Sequence, residues 1–197
     1  NASGGAGLSI YNSEVSISYT QFSNNSVVGS NNSGGAVLLN TANTVFFACT
    51  FNRNSSLLGH GGAIAVSGNN TSTTFKYCNL IANNADKGAS AIFIHDASGN
   101  IDFLNTVTSF NRIEQENSTE FGAFHASGNT NGLTVNLENS YTVFTDNWIK
   151  SGNTYQFSNS ISSNNATINY INNPIIDVKK SSILERVSLL ISTQMIP

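Results

Sequence analysis

The stretch Gly61-Gly62-Ala63-Ile64, followed by Leu80-Ile81-Ala82-Asn83, is one copy of a motif pair that recurs along this chain. The first motif reads Gly-Gly-Ala-apolar, and the second reads Phe-x-x-Asn or its Leu variant. Each recurs at steps of 27 to 34 residues, and two interleaved motifs with one shared period are typical of a stacked repeat. Copies of the first motif start at Gly4, Gly34, Gly61, Ala89 and Phe121, and copies of the second start at Phe22, Phe51, Leu80, Phe110 and Phe144.

Each repeat has the composition of short strands joined by turns. Residues 63–66 are apolar, residues 67–72 are rich in Gly, Asn and Ser, and residues 73–78 are rich in β-branched and aromatic side chains. Residues 80–83 supply a corner and a short third strand. Three strands and three turns in one repeat predict a coil of a parallel β-helix, because the repeat lacks the 3.6-residue apolar period of a helix. We therefore predict an all-β solenoid of about five to six coils over residues 1–152, with an irregular last coil and a C-terminal cap over residues 153–197.

Stacked coils place equivalent residues above one another at about 4.8 Å. The pattern thus predicts two buried ladders and a corner where the Asn of the second motif stacks in a structural role. The paired glycines should turn the backbone in a conformation that a Cβ atom forbids. One ladder contains Val37, Ile64, Ile92 and Phe124, and the other contains Phe22, Phe51, Leu80, Phe110 and Phe144.

The C-terminal residues 179–195 have an apolar spacing of the helical kind, and residues 187–192 equally permit a strand. A solenoid must cover the strand edges at its ends. We interpret this segment as a cap rather than as a membrane-surface helix, because it has few basic residues. Asn1 lies inside a motif region, and the sequence stops abruptly at Ile196-Pro197. We expect the chain to be part of a longer or processed polypeptide.

The composition favours an extracellular protein. Only 10% of the residues are charged, and the net charge is −3. The chain therefore has no basic patch for nucleic acid, and no apolar run approaches the roughly 18 residues of a membrane span. Asn-x-Ser/Thr sequons occur at Asn1, Asn24, Asn31, Asn54, Asn69, Asn70, Asn117 and Asn165. Those best placed in loops to carry N-linked glycans are Asn24, Asn31, Asn69, Asn70 and Asn117, whereas Asn54 belongs to the corner motif.

The two cysteines, Cys49 and Cys78, each lie two residues before a ladder residue, in adjacent coils. Their equivalents in the other coils are assigned as Thr20, Thr108 and Thr142. The stacking leaves two interpretations open, a pair of buried free thiols or a disulfide. A metal site would need more ligands than these two.

Catalysis of polysaccharide cleavage on such a scaffold needs carboxylates grouped on one face. The five aspartates fall at different places in the repeat, and Glu114, Glu116 and Glu120 share one long loop. His60-Gly61 and Arg112-Ile113 resemble fragments of polygalacturonase motifs without the paired aspartates. The remaining candidate combines His95, His125 and Asp96, since the strand parity puts both histidines on the outer face of neighbouring coils. We expect no catalytic, cofactor or metal site.

The alternation of Gly-Gly-Ala-Ile with Phe-x-x-Asn over residues 4–147 resembles the repeats of chlamydial polymorphic outer-membrane proteins and of related protist surface proteins. The resemblance implies a right-handed parallel β-helix at a cell surface, in an adhesive or structural role. The chain departs from this pattern at Ala89-Ser90, at Ile113 and at Phe121.

These observations together predict a non-catalytic extracellular structural or adhesive module without cofactors, part of a larger surface protein or fibre. Its expected partners are other surface or matrix proteins, copies of itself joined end to end, and N-linked glycans. The alternative is a polysaccharide-acting or carbohydrate-binding β-helix of the pectate-lyase-like class. A row of carboxylates or aromatic residues along one outer strand would discriminate the two, and none is evident from the sequence.

Overall fold

A computed structural model of the chain describes residues 4–28, 34–114, 122–145, 147–151, 153–157 and 161–178. In these ranges every regular element is a β-strand. The strands are β1 (Leu8–Tyr11), β2 (Glu14–Ser18), β3 (Gln21–Ser23), β4 (Ser26–Val28), β5 (Val37–Asn40), β6 (Asn43–Phe47), β7 (Thr50–Asn52), β8 (Ser55–Leu57), β9 (Ile64–Lys76), β10 (Asn79–Ile81), β11 (Asn84–Ala85), β12 (Ile92–Leu104), β13 (Val107–Ser109), β14 (Arg112–Ile113), β15 (Phe124–Glu138), β16 (Val143–Thr145), β17 (Trp148–Ser151), β18 (Thr154–Phe157), β19 (Ile161–Asn164), β20 (Ala166–Ile171) and β21 (Ile175–Val178).

The strands stack into three sheets that form a solenoid of about five turns, as the repeat predicts. The pairing is parallel except between β17 and β18. The first sheet runs in the order β1-β5-β9-β12-β15-β19, with β2, β6 and β20 beside this path; the second runs β3-β7-β10-β13-β16-β21, and the third runs β4-β8-β11-β14-β17-β18. The first sheet has two arms, separated by a bend where the register of β12 shifts between His95 and Gly99. The first arm contains β1, β5, β19 and the N-terminal halves of β9, β12 and β15, and the second arm contains β2, β6, β20 and the C-terminal halves.

The chain turns between sheets through residues in the left-handed conformation. The corner from the first to the second sheet has φ between 51° and 60° in every coil, at Tyr19, Ala48, Tyr77, Asn105, Asn139 and Asn172. The next corner repeats the pattern at Asn24, Arg53, Ala82 and Phe110. A residue other than Gly, Asn or Asp loses about 1–2 kcal/mol in this conformation. The corners therefore oppose local preference, and the stacking around them must offset that cost.

The paired glycines behave as predicted. Gly61 has φ +68°, and a Cβ there would lie 2.5 Å from the carbonyl oxygen of Ile64. A Cβ on Gly62 would lie 2.1 Å from the carbonyl oxygen of Ser90. In the degenerate next copy Ala89 also takes a positive φ of 50°, so the turn is kept even where the glycine is lost.

The predicted apolar ladder is confirmed. Val37, Ile64, Ile92 and Phe124 are paired in register and fully buried. The second predicted ladder is correct at Phe51, Leu80 and Phe144 and wrong in the fourth coil. Leu80 pairs with Thr108 there, whereas Phe110 occupies the left-handed corner and is 45% exposed.

A third inner row, which the motifs do not mark, completes the core. Phe46, Phe75 and Phe103 are paired in register on the second arm and are fully buried. The rings of Phe46 and Phe75 stack with centroids 5.3 Å apart, and those of Phe75 and Phe103 with centroids 5.0 Å apart. Phe46 also meets Phe51 edge to face at 5.3 Å, so the two rows interlock.

The corner asparagines form a continuous hydrogen-bonded ladder. Asn83 is fully buried, and its Oδ1 accepts from both the backbone N–H and the Nδ2 of Asn54 at 3.0 Å. Its own Nδ2 donates to Asn111 Oδ1 and to the carbonyl oxygen of Phe51, each at 3.0 Å. All four bonding positions of the amide are thus used. The ladder contains Asn25, Asn54, Asn83, Asn111 and Asn147, so the fourth corner residue is Asn111 and not the predicted Ile113.

The two ends of the solenoid differ. In the first coil the inward residues Leu8, Val15, Ile17 and Phe22 are only partly buried. At the other end β18 pairs with β17 antiparallel, while β19 and β20 continue the first sheet in parallel with β15. Residues 161–171 therefore extend the first sheet by one further layer. The predicted cap over residues 179–195 lies outside the described residues.

Replacing Phe51 with Ala should destabilise the protein by roughly 3–5 kcal/mol, because it opens a cavity in a narrow core. Phe110→Ala removes a ring of the same size from an exposed corner and should change the free energy of unfolding by less than about 1 kcal/mol. Urea unfolding of both variants measures the difference. Equal losses for the two variants would contradict the observed register.

Candidate functional site

Three carboxylates of the described residues, those of Asp86, Asp102 and Glu114, have separate local partners. Asp86 Oδ2 accepts from the backbone N–H of Leu58 at 2.8 Å, and Asp102 Oδ1 accepts from Asn136 Nδ2 at 2.7 Å. Glu114 forms an ion pair with Arg112 at 2.7 Å. No group of three or more His, Cys, Asp and Glu residues in the described ranges is arranged to hold a metal ion. Glu116, Glu120 and Asp146 lie outside those ranges.

All three histidines of the chain meet on the outer face of the first arm, around Phe93. Phe93 lies in register with His125 of the next coil, and their ring centroids are 5.8 Å apart. His60 reaches Phe93 from the turn before Gly61, with centroids 4.5 Å apart and rings 17° from parallel. His95 follows two residues along the strand and stacks on Phe93 at 5.6 Å. We call these four residues the histidine cluster.

Burial makes two members of the cluster poor bases. His60 and His125 are 7% and 5% exposed. Desolvation lowers the pKa of His60 to about 4, with Lys87 and His95 adding positive charge nearby. Desolvation also lowers the pKa of His125 to about 4, with smaller contributions from His60 and His95. Both rings are therefore neutral at pH 7 and pack as flat, weakly polar groups.

The closest approach to a nucleophilic pair lies at the edge of the cluster. His125 Nδ1 is 2.9 Å from Ser162 Oγ, and the two residues are paired in register between β15 and β19. A Ser–His pair suits acyl transfer when a third group orients the imidazole and donors surround the developing oxyanion. Here His125 is held by stacking on Phe93, and Ser162 Oγ also lies 3.5 Å from the carbonyl oxygen of Phe124. These contacts fit a structural role in which the Ser162 hydroxyl bridges β15 and β19 of two neighbouring coils.

The sequence-predicted candidates are thus partly brought together. His95 and His125 lie on one outer face, as the parity predicts, whereas Asp96 lies at the exposed bend with its carbonyl oxygen 3.3 Å from Asn129 Nδ2. Sequence reasoning missed Phe93 and Ser162 and did not join His60 to the group. Phe93 alternates with the core residues Ile92 and Ile94 in an apolar strand. This alternation was the signal that its ring faces outward.

The two cysteines are buried free thiols. Cys78 Sγ lies 3.4 Å from the carbonyl oxygen of Phe46 in the coil before, and Cys49 Sγ lies 3.4 Å from that of Ile17. Thr106 Oγ1 donates to the carbonyl oxygen of Phe75 at 3.1 Å in the same way. The fourth-coil equivalent of the cysteines is therefore Thr106 and not the predicted Thr108. Burial raises the pKa of the Cys78 thiol to about 11.

The sequons divide as the corner assignment predicts. Asn54 is fully buried, and its Nδ2 donates to the carbonyl oxygen of Phe22 at 2.9 Å and to Asn83 Oδ1. Asn24, Asn69 and Asn70 are exposed. Asn69 Oδ1 accepts from Asn129 Nδ2 at 2.7 Å. The candidates Asn31 and Asn117 lie outside the described residues.

Lowering the pH should destabilise the protein through His60 and His125. Their unfolded pKa is about 6.5 and their folded pKa about 4, so between these values the unfolded chain binds more protons. The free energy of unfolding should therefore fall as the pH drops from about 6.5 to 4, by about 1–3 kcal/mol for each histidine. Urea titrations across this range measure the slope. The double variant His60→Gln/His125→Gln should flatten it, and His95→Gln serves as the exposed control. A double variant with the wild-type slope would refute this assignment.

Among the residues that the structure describes, no helix is long and apolar enough to cross a membrane. The comparisons with known proteins found no matching family model, no similar curated protein and no similar solved structure.

Proposed function

We propose that this chain is a non-catalytic extracellular module with a structural or adhesive role at a cell surface or in a matrix. It would work within a larger surface protein or fibre, beside other surface proteins or copies of itself, and carry N-linked glycans on exposed loops. The observation that supports this proposal most is the low charge and the ordered polar groups of the outer faces of the solenoid. Only 10% of the residues are charged, and the outer faces present amide groups in hydrogen-bonded rows.

One such row lies on the outer face of the second arm. Asn169 Nδ2 donates to Asn136 Oδ1 at 2.9 Å, and Asn136 Nδ2 donates to Asp102 Oδ1. A second group lies at the bend, where Asn129 and Asn131 both donate to Asn69 Oδ1. Polar side chains that hold one another in place are preorganised, which lowers the entropy cost of a contact with a partner. A module built from such rows suits repeated weak contacts that gain strength by multivalency.

The titratable groups support the absence of catalysis in this proposal. His60 and His125 have folded pKa values of about 4, well below the range in which a general base works at neutral pH. Their rings pack against Phe93. We therefore assign the histidine cluster a packing role on the outer face.

The purified protein should release no new reducing ends from pectin, alginate or xylan over long incubations. The measurement is a reducing-sugar assay at pH 5 and pH 7, with His125→Gln and Ser162→Ala beside the wild type. Turnover of any of these polymers that disappears in either variant would overturn the proposal in favour of the enzymatic alternative.

In protein made by a secreting eukaryotic cell, glycans should appear at Asn24, Asn69 or Asn70 and not at Asn54. A glycan is attached through Nδ2, and Asn54 Nδ2 is committed to two hydrogen bonds inside the corner ladder. By contrast, Asn69 is bonded through its Oδ1, which glycosylation leaves in place. Glycopeptide mapping of folded material decides this. Occupied Asn54 together with bare exposed sites would contradict the proposal.

A further inference from the structure

Four consecutive residues of β15 lie outside the strand pairing with the described part of either neighbouring coil. The register of β15 with β12 passes directly from Gly128 to Leu133, and the pairings with β19 and β20 leave out the same four residues. Residues 129–132 therefore bulge out of the sheet at the bend. Residues 130–132 are exposed. We call residues 129–132 the bend loop.

Side-chain amides tie the bend loop across the first sheet. Asn129 Nδ2 donates to Asn69 Oδ1 at 2.7 Å and to the carbonyl oxygen of Asp96 at 3.3 Å. Asn131 Nδ2 donates to the same Asn69 oxygen at 3.2 Å, and its backbone N–H donates to Asn129 Oδ1 at 2.9 Å. Asn69 belongs to β9, so the loop of β15 reaches across β12 to the coil beyond it. The bend loop thus links two coils that are not neighbours.

Asn131 is followed by Gly132, and this is the only Asn-Gly dipeptide in the sequence. The backbone nitrogen of Gly132 can attack Cγ of the Asn131 amide, because glycine has no Cβ to hinder the approach. A bond forms between this nitrogen and Cγ, the Cγ–Nδ2 bond breaks, and Nδ2 takes up the displaced proton and leaves as ammonia. The product is a five-membered cyclic imide. Water then opens the imide at either carbonyl and leaves an aspartate or an isoaspartate at position 131.

The fold leaves this reaction open at Asn131 and closes it at a buried asparagine. A Cβ on Gly132 would meet nothing within 4 Å, so the peptide unit has room to rearrange. The amide of Asn131 donates one bond of 3.2 Å to the described residues, at the upper end of the usual range. By contrast, Asn54 is fully buried, and its Nδ2 donates two bonds inside the corner ladder. Its following residue, Ser55, lies in the paired strand β8.

We propose that Asn131 is a site of spontaneous deamidation in the folded protein, and that the reaction releases the bend loop from Asn69. The amide donor to Asn69 Oδ1 is replaced by a carboxylate, so two oxygens face each other and repel. An isoaspartate also adds a carbon to the main chain and displaces the Asn131 N–H from Asn129 Oδ1. The protein gains a negative charge and loses the ordered amides of the bend as it ages. This inference goes beyond the proposed function, because it concerns the lifetime of a surface and not its partner.

The experiment follows the full chain in water enriched in oxygen-18, either folded in buffer at pH 8 or unfolded in guanidinium chloride at the same pH. Peptide mapping with electron-transfer fragmentation locates each converted asparagine and distinguishes isoaspartate from aspartate. Asn131→Gln keeps an amide donor and removes the asparagine that forms the five-membered imide. Asn131→Asp carries the product carboxylate from the start. Asn54 is the internal comparison within the wild type.

We expect Asn131 to convert in the folded chain within about 3-fold of its rate in the unfolded chain, because the bend loop reacts without unfolding. Asn54 should convert roughly 100-fold or more slowly in the folded chain than in the unfolded chain, since its reaction requires the corner ladder to open. Asn131→Gln should remove the signal at position 131 alone. Protection of Asn131 by folding to the same degree as Asn54 would overturn the assignment of the site.

Hydrogen exchange tests the release of the bend loop. Asn131→Asp should raise the exchange rates of the backbone amides of residues 129–133 roughly 3-fold or more over the wild type, whereas Asn131→Gln should leave them unchanged. Equal exchange in all three proteins would overturn the release. Neither measurement detects turnover or adhesion, so the proposed function is tested separately from this inference.

Discussion

The amide ladder of the corner asparagines is the constraint on which the rest of this structure depends. A buried amide has two donors and two acceptor positions, and leaving any of them empty costs about 1–3 kcal/mol. Asn83 satisfies all four only when Asn54 and Asn111 lie directly below and above it. A shift of one residue between coils would break several of these bonds at once. The ladder therefore sets the register, and the aromatic and aliphatic rows inside the solenoid follow from it.

The sequence alone predicts the period, the strand type and one complete apolar ladder, because the same residue types recur in each repeat. It failed in the fourth coil. The motif predicts Phe110 as the ladder residue because its ring matches Phe51 and Phe144, whereas the structure has Thr108 in the ladder and Asn111 at the corner. The corner depends on an amide that completes the hydrogen bonds, and the inward position before it accepts a threonine. Counting from the amide, rather than from the ring, would have found the correct register.

The outer surface was less predictable, and for a physical reason. Strand parity predicts which side a residue faces, and it placed His95 and His125 correctly. It does not predict which turn folds over a sheet or which coils lie side by side beyond the motifs. His60 comes from a turn, and Ser162 comes from a coil without the motif. The outer ring contacts of Phe47 join this strand residue to two corner residues, Tyr19 and Tyr77. Each grouping exists only once the coils are stacked. Burial keeps the rings of His60 and His125 neutral. Packing of neutral rings therefore explains the histidine cluster better than any shared motif does.

The buried thiols bear on whether copies of such a module would form disulfides with one another. Disulfide exchange proceeds through the thiolate. A thiol with a raised pKa and no access to solvent forms almost no thiolate. Cys78 has a pKa of about 11 and is fully buried, and its sulfur contacts a carbonyl as the threonine hydroxyls do in other coils. Once a coil has closed, its sulfur is chemically silent. Many copies could then be crowded together in an oxidising compartment without cross-linking to one another through these residues.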